Sequence, residues 1–220
     1  MGYKIFTLSP GSTSTKLAVF DGEERIFKAN VTHDPETLKS FAKVNDQLPY
    51  RVETILAELG KEGISLEEMD AFAAYSGGLE STPGGIFPVN DKIIADCTKP
   101  RIFEHPAILG AQIIHRFSQQ TGKPALLVNP PDTDEFQDLA RVSGIKGIYR
   151  ESHVHVLNQK EVAMRAPRSW ARPTRPAVWW CAMWAAACPS PPSRTAASST
   201  ATMCFRARAP WPPTAPATCL

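Results

Sequence analysis

Between Tyr3 and Val31, apolar and polar positions alternate at the two-residue period of β-strands, in three short runs. The runs Tyr3 to Leu8 and Lys16 to Phe20 flank the hydroxyl-rich turn Ser9-Pro10-Gly11-Ser12-Thr13-Ser14-Thr15, and Asp21-Gly22 turns the chain into a third strand from Arg25 to Val31. The period then changes. Val52, Ile55, Leu56 and Leu59 fall at helical spacing and predict a helix over Pro49 to Leu59, with Gly60 suited to its C-terminal cap. Ala71 to Tyr75 is a short apolar strand running into Gly77-Gly78. Pro106 to Phe117 is a second helix, with Ile108, Leu109, Ile113 and Ile114 on its apolar side and Gly122 beyond it. Pro124 to Val128 is a fifth strand, ending at Asn129-Pro130-Pro131, and Phe136 to Val142 and Asn158 to Met164 have helical spacing. A meander followed by alternating strands and helices predicts an α/β domain with a mixed five-stranded sheet and flanking helices.

Composition changes this picture at one place. Residues 1–166 carry 18 Lys and Arg against 22 Asp and Glu, whereas residues 167–220 carry six Arg, no Lys and no acid. All five Trp and ten of the 20 Pro also lie in the last stretch. Folded surfaces carry both signs of charge, so the expected folded domain is 1–166, followed by a disordered Ala/Pro/Arg-rich tail at 167–220 without a fold. No apolar run reaches the roughly 18 residues of a membrane span, and no secretory h-region opens the chain. Cys97 is the single cysteine of the body, which suits a reducing, cytoplasmic setting. The tail cysteines contain no C-x-x-C pair, so no metal site is expected. The acidic balance of the body argues against a nucleic-acid surface.

The segment Gly11 to Lys16 holds the most suggestive chemistry. Gly11 permits close backbone approach, and successive N–H groups with the hydroxyls of Ser12, Thr13, Ser14 and Thr15 form a nest that can wrap phosphate oxygens. A polar hairpin turn is the alternative reading of the same residues. The run SPGSTSTKLAVF resembles the first phosphate loop of the acetate and butyrate kinases, within the actin-like, ribonuclease H-like superfamily of sugar and acyl kinases. Ser76-Gly77-Gly78-Leu79, Pro83-Gly84-Gly85 and Val89-Asn90 are similar to that family's acyl-site loop, and His105-Pro106-Ala107-Ile108-Leu109-Gly110 to the helix start after it. PPDTDEFQDLARVSG from Pro130 and the run from His155 to Lys160 are similar to its later signatures, so the resemblance spans essentially residues 3–165 and fits the butyrate branch best.

The resemblance implies an actin-like N-terminal domain and the reaction of ATP, usually with Mg²⁺, and a short-chain carboxylate to ADP and an acyl phosphate. Catalysis of that kind is mostly positioning and charge stabilisation. It implies that Ser9 and Gly11 to Lys16 face the nucleotide phosphates and that Gly77, Gly78, Gly84 and Gly85 shape the acyl pocket. It further implies that His155 and His105 stand near the transferring phosphoryl group, and that the protein is a homodimer. His33, His115 and His153 have no counterpart and are read as structural. Three positions depart from the family pattern: Ser9 stands where Asn is usual, Ser76 where Arg is usual and Asn129 where Asp is usual. Ser76 and Asn129 thus occupy matched catalytic positions without the charge. Asp132, Asp134 and Glu135 are the nearby acids that can replace it. The expected activity of the chain is therefore impaired. A non-catalytic pseudoenzyme that partners an intact kinase is the alternative of a different class, and an actin-like ATPase or sugar kinase is a third.

The resemblance stops near Arg165. Reading the last base of each codon with the first two of the next forces Val-Val from Trp179-Trp180-Cys181, Val-Gly from Met183-Trp184-Ala185, Val from Met203-Cys204 and Ala from Trp211-Pro212. With GC-rich choices at the free positions, the shifted frame reads as a strand followed by His-Val-Gly-Gly-Gly, similar to the family's second phosphate motif. A one-base slip between about Arg165 and Arg168 is the expectation.

Overall fold

A tight Gly11–Ser14 turn starts the sheet. In the computed structural model, which describes residues 2–99, 104–152, 154–165, 178–183 and 201–206, strand β1 (Lys4–Pro10) pairs antiparallel with β2 (Ser14–Asp21). Strand β2 in turn pairs with β3 (Glu24–Thr32), with an irregularity between Val19 and Phe20. Helices α1 (Pro35–Lys39) and α2 (Leu48–Lys61) follow. The Asp34 side chain caps α1 by accepting from the Thr37 N–H, a start signal of Asp followed by Pro. Strand β4 (Ala71–Ala74) lies parallel to β1, and a parallel neighbour needs a crossover, which is the segment that carries α2. After β5 (Ile86–Pro88), α3 (Asp91–Thr98) and α4 (Leu109–Thr121), strand β6 (Ala125–Val128) adds parallel to β4. The sheet order is β3-β2-β1-β4-β6-β5, with β5 antiparallel to β6 at the edge. This is a mixed sheet with flanking helices, the actin-like architecture that the resemblance implies.

The sheet has six strands rather than the five expected. Ile86–Pro88 is three residues long and ends in proline, too short for an alternating signal, and it is a strand only because β6 offers it an edge. Gly60 is not the cap of α2. The helix runs through it, and Gly63 takes the positive φ of +67° while the Ile64 N–H returns to the Leu59 carbonyl. Helix α3 was not expected from the sequence. Asn90, counted with the acyl-site run, is its N-cap and accepts from the Ile93 N–H at 3.0 Å. The helix expected over Phe136 to Val142 is a single turn, α5 (Asp138–Arg141), and Pro106 to Ile108 is a 3₁₀ turn leading into α4.

The core lies between the sheet and α4. Phe6 of β1, Phe72 of β4 and Phe117 of α4 are fully buried, with ring centroids 5.8–6.3 Å apart in edge and tilted contacts. Leu109, Ala111, Ile113 and Ile114 of α4 are also fully buried, and Val52, Ile55 and Leu59 of α2 join the cluster.

The chain divides into two compact units, 1–153 and 154–220. The second contains α6 (Val156–Arg165) and a two-stranded antiparallel ladder of β7 (Val178–Met183) and β8 (Ala201–Arg206). These strands are the part of the 167–220 stretch that the structure describes. Their apolar, aromatic runs have high β-propensity. Its remaining residues lie outside those described. Phe117→Ala is expected to lower the stability of the first unit by about 3–5 kcal/mol. Chemical denaturation followed by circular dichroism measures it, and a loss below about 1 kcal/mol would contradict this core.

Candidate functional site

Strands β1, β4 and β6 are mutually parallel, so the loops that leave their carboxyl ends emerge along one edge of the sheet. In open α/β sheets that edge is where ligands bind. Three loops meet the criterion: Pro10 to Ser14 after β1, Tyr75 to Gly85 after β4, and Asn129 to Asp134 after β6.

The first loop is the hydroxyl-rich turn. The Gly11 N–H donates to the Ser14 carbonyl at 2.7 Å, and a Cβ on Gly11 would stand 3.2 Å from that oxygen, so the turn is tight enough to favour glycine. The Thr13 carbonyl accepts from the His33 N–H at 2.9 Å. Ser12 and Thr13 are exposed and Ser14 is half-buried, so their hydroxyls remain near the surface. Thr15 differs. It is fully buried, and its Oγ1 accepts from Arg51 Nη1 at 3.1 Å and lies 2.8 Å from His33 Nε2. Thr15 therefore fastens the loop from behind. Ser9 and Lys16 face each other in the β1–β2 register, and alternation puts both opposite Thr15, with Lys16 exposed.

Arg51 and His33 are the residues that sequence reading missed. Arg51 stands four residues before Ile55 and eight before Leu59, on the buried face of α2. A charge at an apolar helical position was the available signal. Burial and the Arg51 charge push His33 down to about 4, so its ring is neutral at pH 7, and burial pushes Arg51 down to about 10. His33, read as structural, is thus part of the support of the first loop.

The second and third loops are stitched together. Ser76 is fully buried, its Oγ donating to the Ala107 carbonyl at 2.7 Å and accepting from the Ala111 N–H at 3.0 Å. A Cβ on Gly110 would lie 2.9 Å from Ser76 Cβ, so glycine at 110 is what lets α4 approach this strand end. Asn129 has φ of 41°, which Asn tolerates, and it exchanges two hydrogen bonds with Gly85: its N–H donates to the Gly85 carbonyl at 2.8 Å and its Oδ1 accepts from the Gly85 N–H at 3.0 Å. Both side chains expected at catalytic positions are therefore committed to loop structure. Gly77 is buried against Pro131, Gly78 has φ of 90°, and half-buried Gly84 and Gly85 turn the chain into β5.

The nearby acids divide in role. Asp134 takes a two-pronged ion pair from Arg141 at 2.6 and 3.0 Å, with further bonds from Ser81 and the Phe136 N–H, and Arg141 holds its carboxyl down at about 2. Asp132 is buried, accepts from the Leu79 N–H at 3.2 Å and helps burial push Tyr75 up to about 12. Glu135 is exposed. Of the three candidates, Asp132 and the side chain of Asp134 both lie buried against the second loop, the Asp134 side chain 3% exposed. An open cavity of about 250 Å³ lies beside that loop, lined by Leu79, Ser81, Thr82, Phe87, Lys92 and Ile93 among others. His105 caps the Pro106 turn, its Nδ1 accepting from the Ala107 N–H at 3.1 Å, which leaves the ring proton on Nε2. His155 is exposed at the start of α6 in the second unit, and its carbonyl accepts from the Gln159 N–H. His153 lies outside the described residues. No group of three or more His, Cys, Asp or Glu side chains suited to a metal ion occurs among the described residues.

A tight hydroxyl-rich turn and two interlocked loops stand at one edge of a mixed α/β sheet, at the carboxyl ends of its parallel strands. By sequence the chain is related to the butyrate kinases. It is 37% identical over 170 residues to the probable butyrate kinase of Coprothermobacter proteolyticus, covering 77% of this chain and 48% of that protein. It is 36% identical over 165 residues to butyrate kinase 2 of Clostridium acetobutylicum, covering 75% and 46%. The chain spans about half the length of these relatives. Among solved structures it is similar to the acetate kinase of Porphyromonas gingivalis, at 16% identity over 74% of this chain and 49% of that one with a TM-score of 0.48. It is also similar to a propionate kinase from Francisella tularensis, at 14% identity over 81% and 52% with a TM-score of 0.47. No family model matches the chain.

The His33 environment has a pH consequence. Its folded value of about 4 lies below the ordinary 6.5, so the unfolded chain binds the extra proton first and stability falls as pH drops from 6.5 toward 4. His33→Gln is expected to flatten the stability slope in that window. Urea midpoints at pH 7 and pH 5 for both proteins test it, and equal slopes would contradict the buried neutral histidine.

Proposed function

We propose that the chain is the N-terminal part of a butyrate-kinase-type carboxylate kinase, which transfers the terminal phosphoryl group of ATP to butanoate or a similar short- or branched-chain acid. The observation that carries this reading is the 37% identity to a probable butyrate kinase over 170 residues. The geometry supports it, because the matched phosphate loop and the matched acyl loop share the carboxyl edge of β1, β4 and β6. In this reading Ser12 and Thr13 receive phosphate oxygens on their N–H groups, with the hydroxyls of Ser12 to Ser14 beside them, while Gly11 closes the turn and Thr15 holds it in place. The Gly77–Gly85 loop, braced by Asn129 and Asp132, shapes the acid pocket, and His105 presents an N–H toward developing charge. The resemblance gives His155 the same task. Mg²⁺ is expected to travel with the nucleotide phosphates, since Asp134 is occupied by Arg141 and Asn129 by Gly85. The protein is expected to be cytoplasmic and to form the homodimer implied by the family. No helix among the described residues is long and apolar enough to cross a membrane.

Residues 167–220 are proposed to be the product of a shifted reading frame. They contain no glycine, so the second Gly-rich phosphate motif is absent from them. Sequencing the gene across codons 165–168 tests this, and an alternative frame without a Gly-Gly-Gly run would refute it. Hydroxylamine trapping of acyl phosphate, with butyrate and MgATP, is expected to give background turnover for the 220-residue chain and clear turnover for the frame-restored chain. A frame-restored protein inactive toward butyrate, propionate and acetate would overturn the kinase reading.

A second reading, a non-catalytic partner of an intact kinase, is favoured by one observation: Ser76 and Asn129, at positions where the resemblance implies charged residues, spend their side chains on the fold. Nucleotide affinity without turnover in the frame-restored chain, with co-purification of a full-length kinase, supports that reading instead.

A further inference from the structure

Arg51 is fully buried, and none of its partners is a carboxylate. Its Nε donates to Gln47 Oε1 at 3.1 Å, Nη1 to Thr15 Oγ1 at 3.1 Å and Nη2 to the Ser12 carbonyl at 3.4 Å. No ion pair of Arg51 occurs among the described residues, and the neighbouring His33 ring is neutral at pH 7. Neutral acceptors disperse a guanidinium charge but do not cancel it, and a buried charge without a counter-ion is costly. Two of the three acceptors, Ser12 and Thr15, belong to the hydroxyl-rich loop, so the uncancelled charge stands directly behind it. The backbone adds an independent observation. A trans peptide points its C=O and N–H in opposite directions. Turning the Ser12 carbonyl toward Arg51 therefore aims the Thr13 N–H away from the guanidinium. The Ser12 and Thr13 N–H groups meet no acceptor among the described residues, and both residues are exposed.

We propose that Arg51 is a positioning residue for a polyphosphate site on the Ser12–Thr15 loop: it orients the loop's peptide planes, gives the loop a standing positive potential, and finds its counter-charge in the bound phosphates. The inference rests on the reading of this loop as a phosphate loop and adds the source of its charge. Arg51 does not reach the ligand directly and acts through Ser12 and Thr15. Lysine at 51 would preserve the charge and lose the fork, whereas methionine would preserve much of the bulk and lose the charge. The groups facing His33 are Thr15 of β2 and, from α2, Tyr50 with its ring 5.4 Å away and Arg51. The adjacent Asp34 carboxylate is engaged in capping α1. A phosphate that balances Arg51 would therefore be felt at His33.

The test uses the full 220-residue chain and inorganic pyrophosphate as the probe, with calorimetry for affinity and NMR titration of the His33 ring. The wild type is expected to bind, Arg51→Met to bind about tenfold or more weakly, and Arg51→Lys to stay within about threefold, the loss of a charge-assisted contact. Saturating pyrophosphate is expected to move the wild-type His33 midpoint upward from about 4. Equal binding by wild type and Arg51→Met with an unmoved His33 would overturn this inference and leave the phosphate-loop reading standing. Equal losses for Lys and Met, tracking lost thermal stability, would make Arg51 a fold fastener only and also overturn it. A wild type that binds no pyrophosphate would remove both the inference and the loop reading. Should Arg51→Met fail to fold, the wild-type His33 shift decides: an upward move supports the proposal and no move overturns it.

Discussion

Parallel pairing of β1, β4 and β6 over the Phe6, Phe72 and Phe117 cluster is the constraint on which the rest of the first unit depends. Parallel strands cannot be joined by hairpins, so the chain must leave the sheet between β3 and β4 and again before β6, and helical segments fill those crossovers. All three strands then end at the same edge. The loops that follow are far apart in sequence, yet they share that edge because the backbone ladder leaves them no other exit. Burial of the aromatic cluster and of the apolar side of α4 holds the arrangement together.

Each loop at this edge is then fixed by a different device. The first is held from behind by Thr15, His33 and Arg51, which ties an exposed turn to a buried helix face. The second is pinned at its start by the Ser76 hydroxyl between Ala107 and Ala111, where Gly110 admits the close approach of α4. Its far end is held by Asn129 at Gly85 and its middle by Asp132 and Asp134. Ser76 and Asn129 thus serve as neutral braces. A hydroxyl or amide in such a place satisfies buried backbone groups without bringing a charge that would need its own counter-ion.

Much of this was legible in the chain. The two-residue period marked the meander, and the 3.6-residue period marked α2 and α4, because each element buries one face. The hydroxyl turn and the glycine pairs stood out because their chemistry is local. Strand β5 was not legible: three residues ending in Pro88 carry no alternation and become a strand only against β6. The cap of α2 was misplaced by three residues because Gly60 and Gly63 look alike in sequence, and only Gly63 takes positive φ. The hydrogen bonds of Ser76 to Ala107 and Ala111, and of Asn129 to Gly85, were not legible either, since a side chain's partners depend on what the fold brings against it.

The sequence by itself determined the strand and helix periods, the tight turn at Gly11, the kinship with acyl kinases and the compositional break near residue 166. These follow from local sterics, from burial patterns within one element, from ordered motifs and from composition. Tertiary structure decided which hydroxyls face outward and which acids lie buried against the second loop. It also set an arginine from α2, with no carboxylate partner, behind a loop nearly forty residues earlier in the chain. The physical reason is that charge compensation is settled in space: Arg51 is a surface-type residue in sequence, and it gains meaning only where burial removes water and leaves Ser12 and Thr15 as its neighbours.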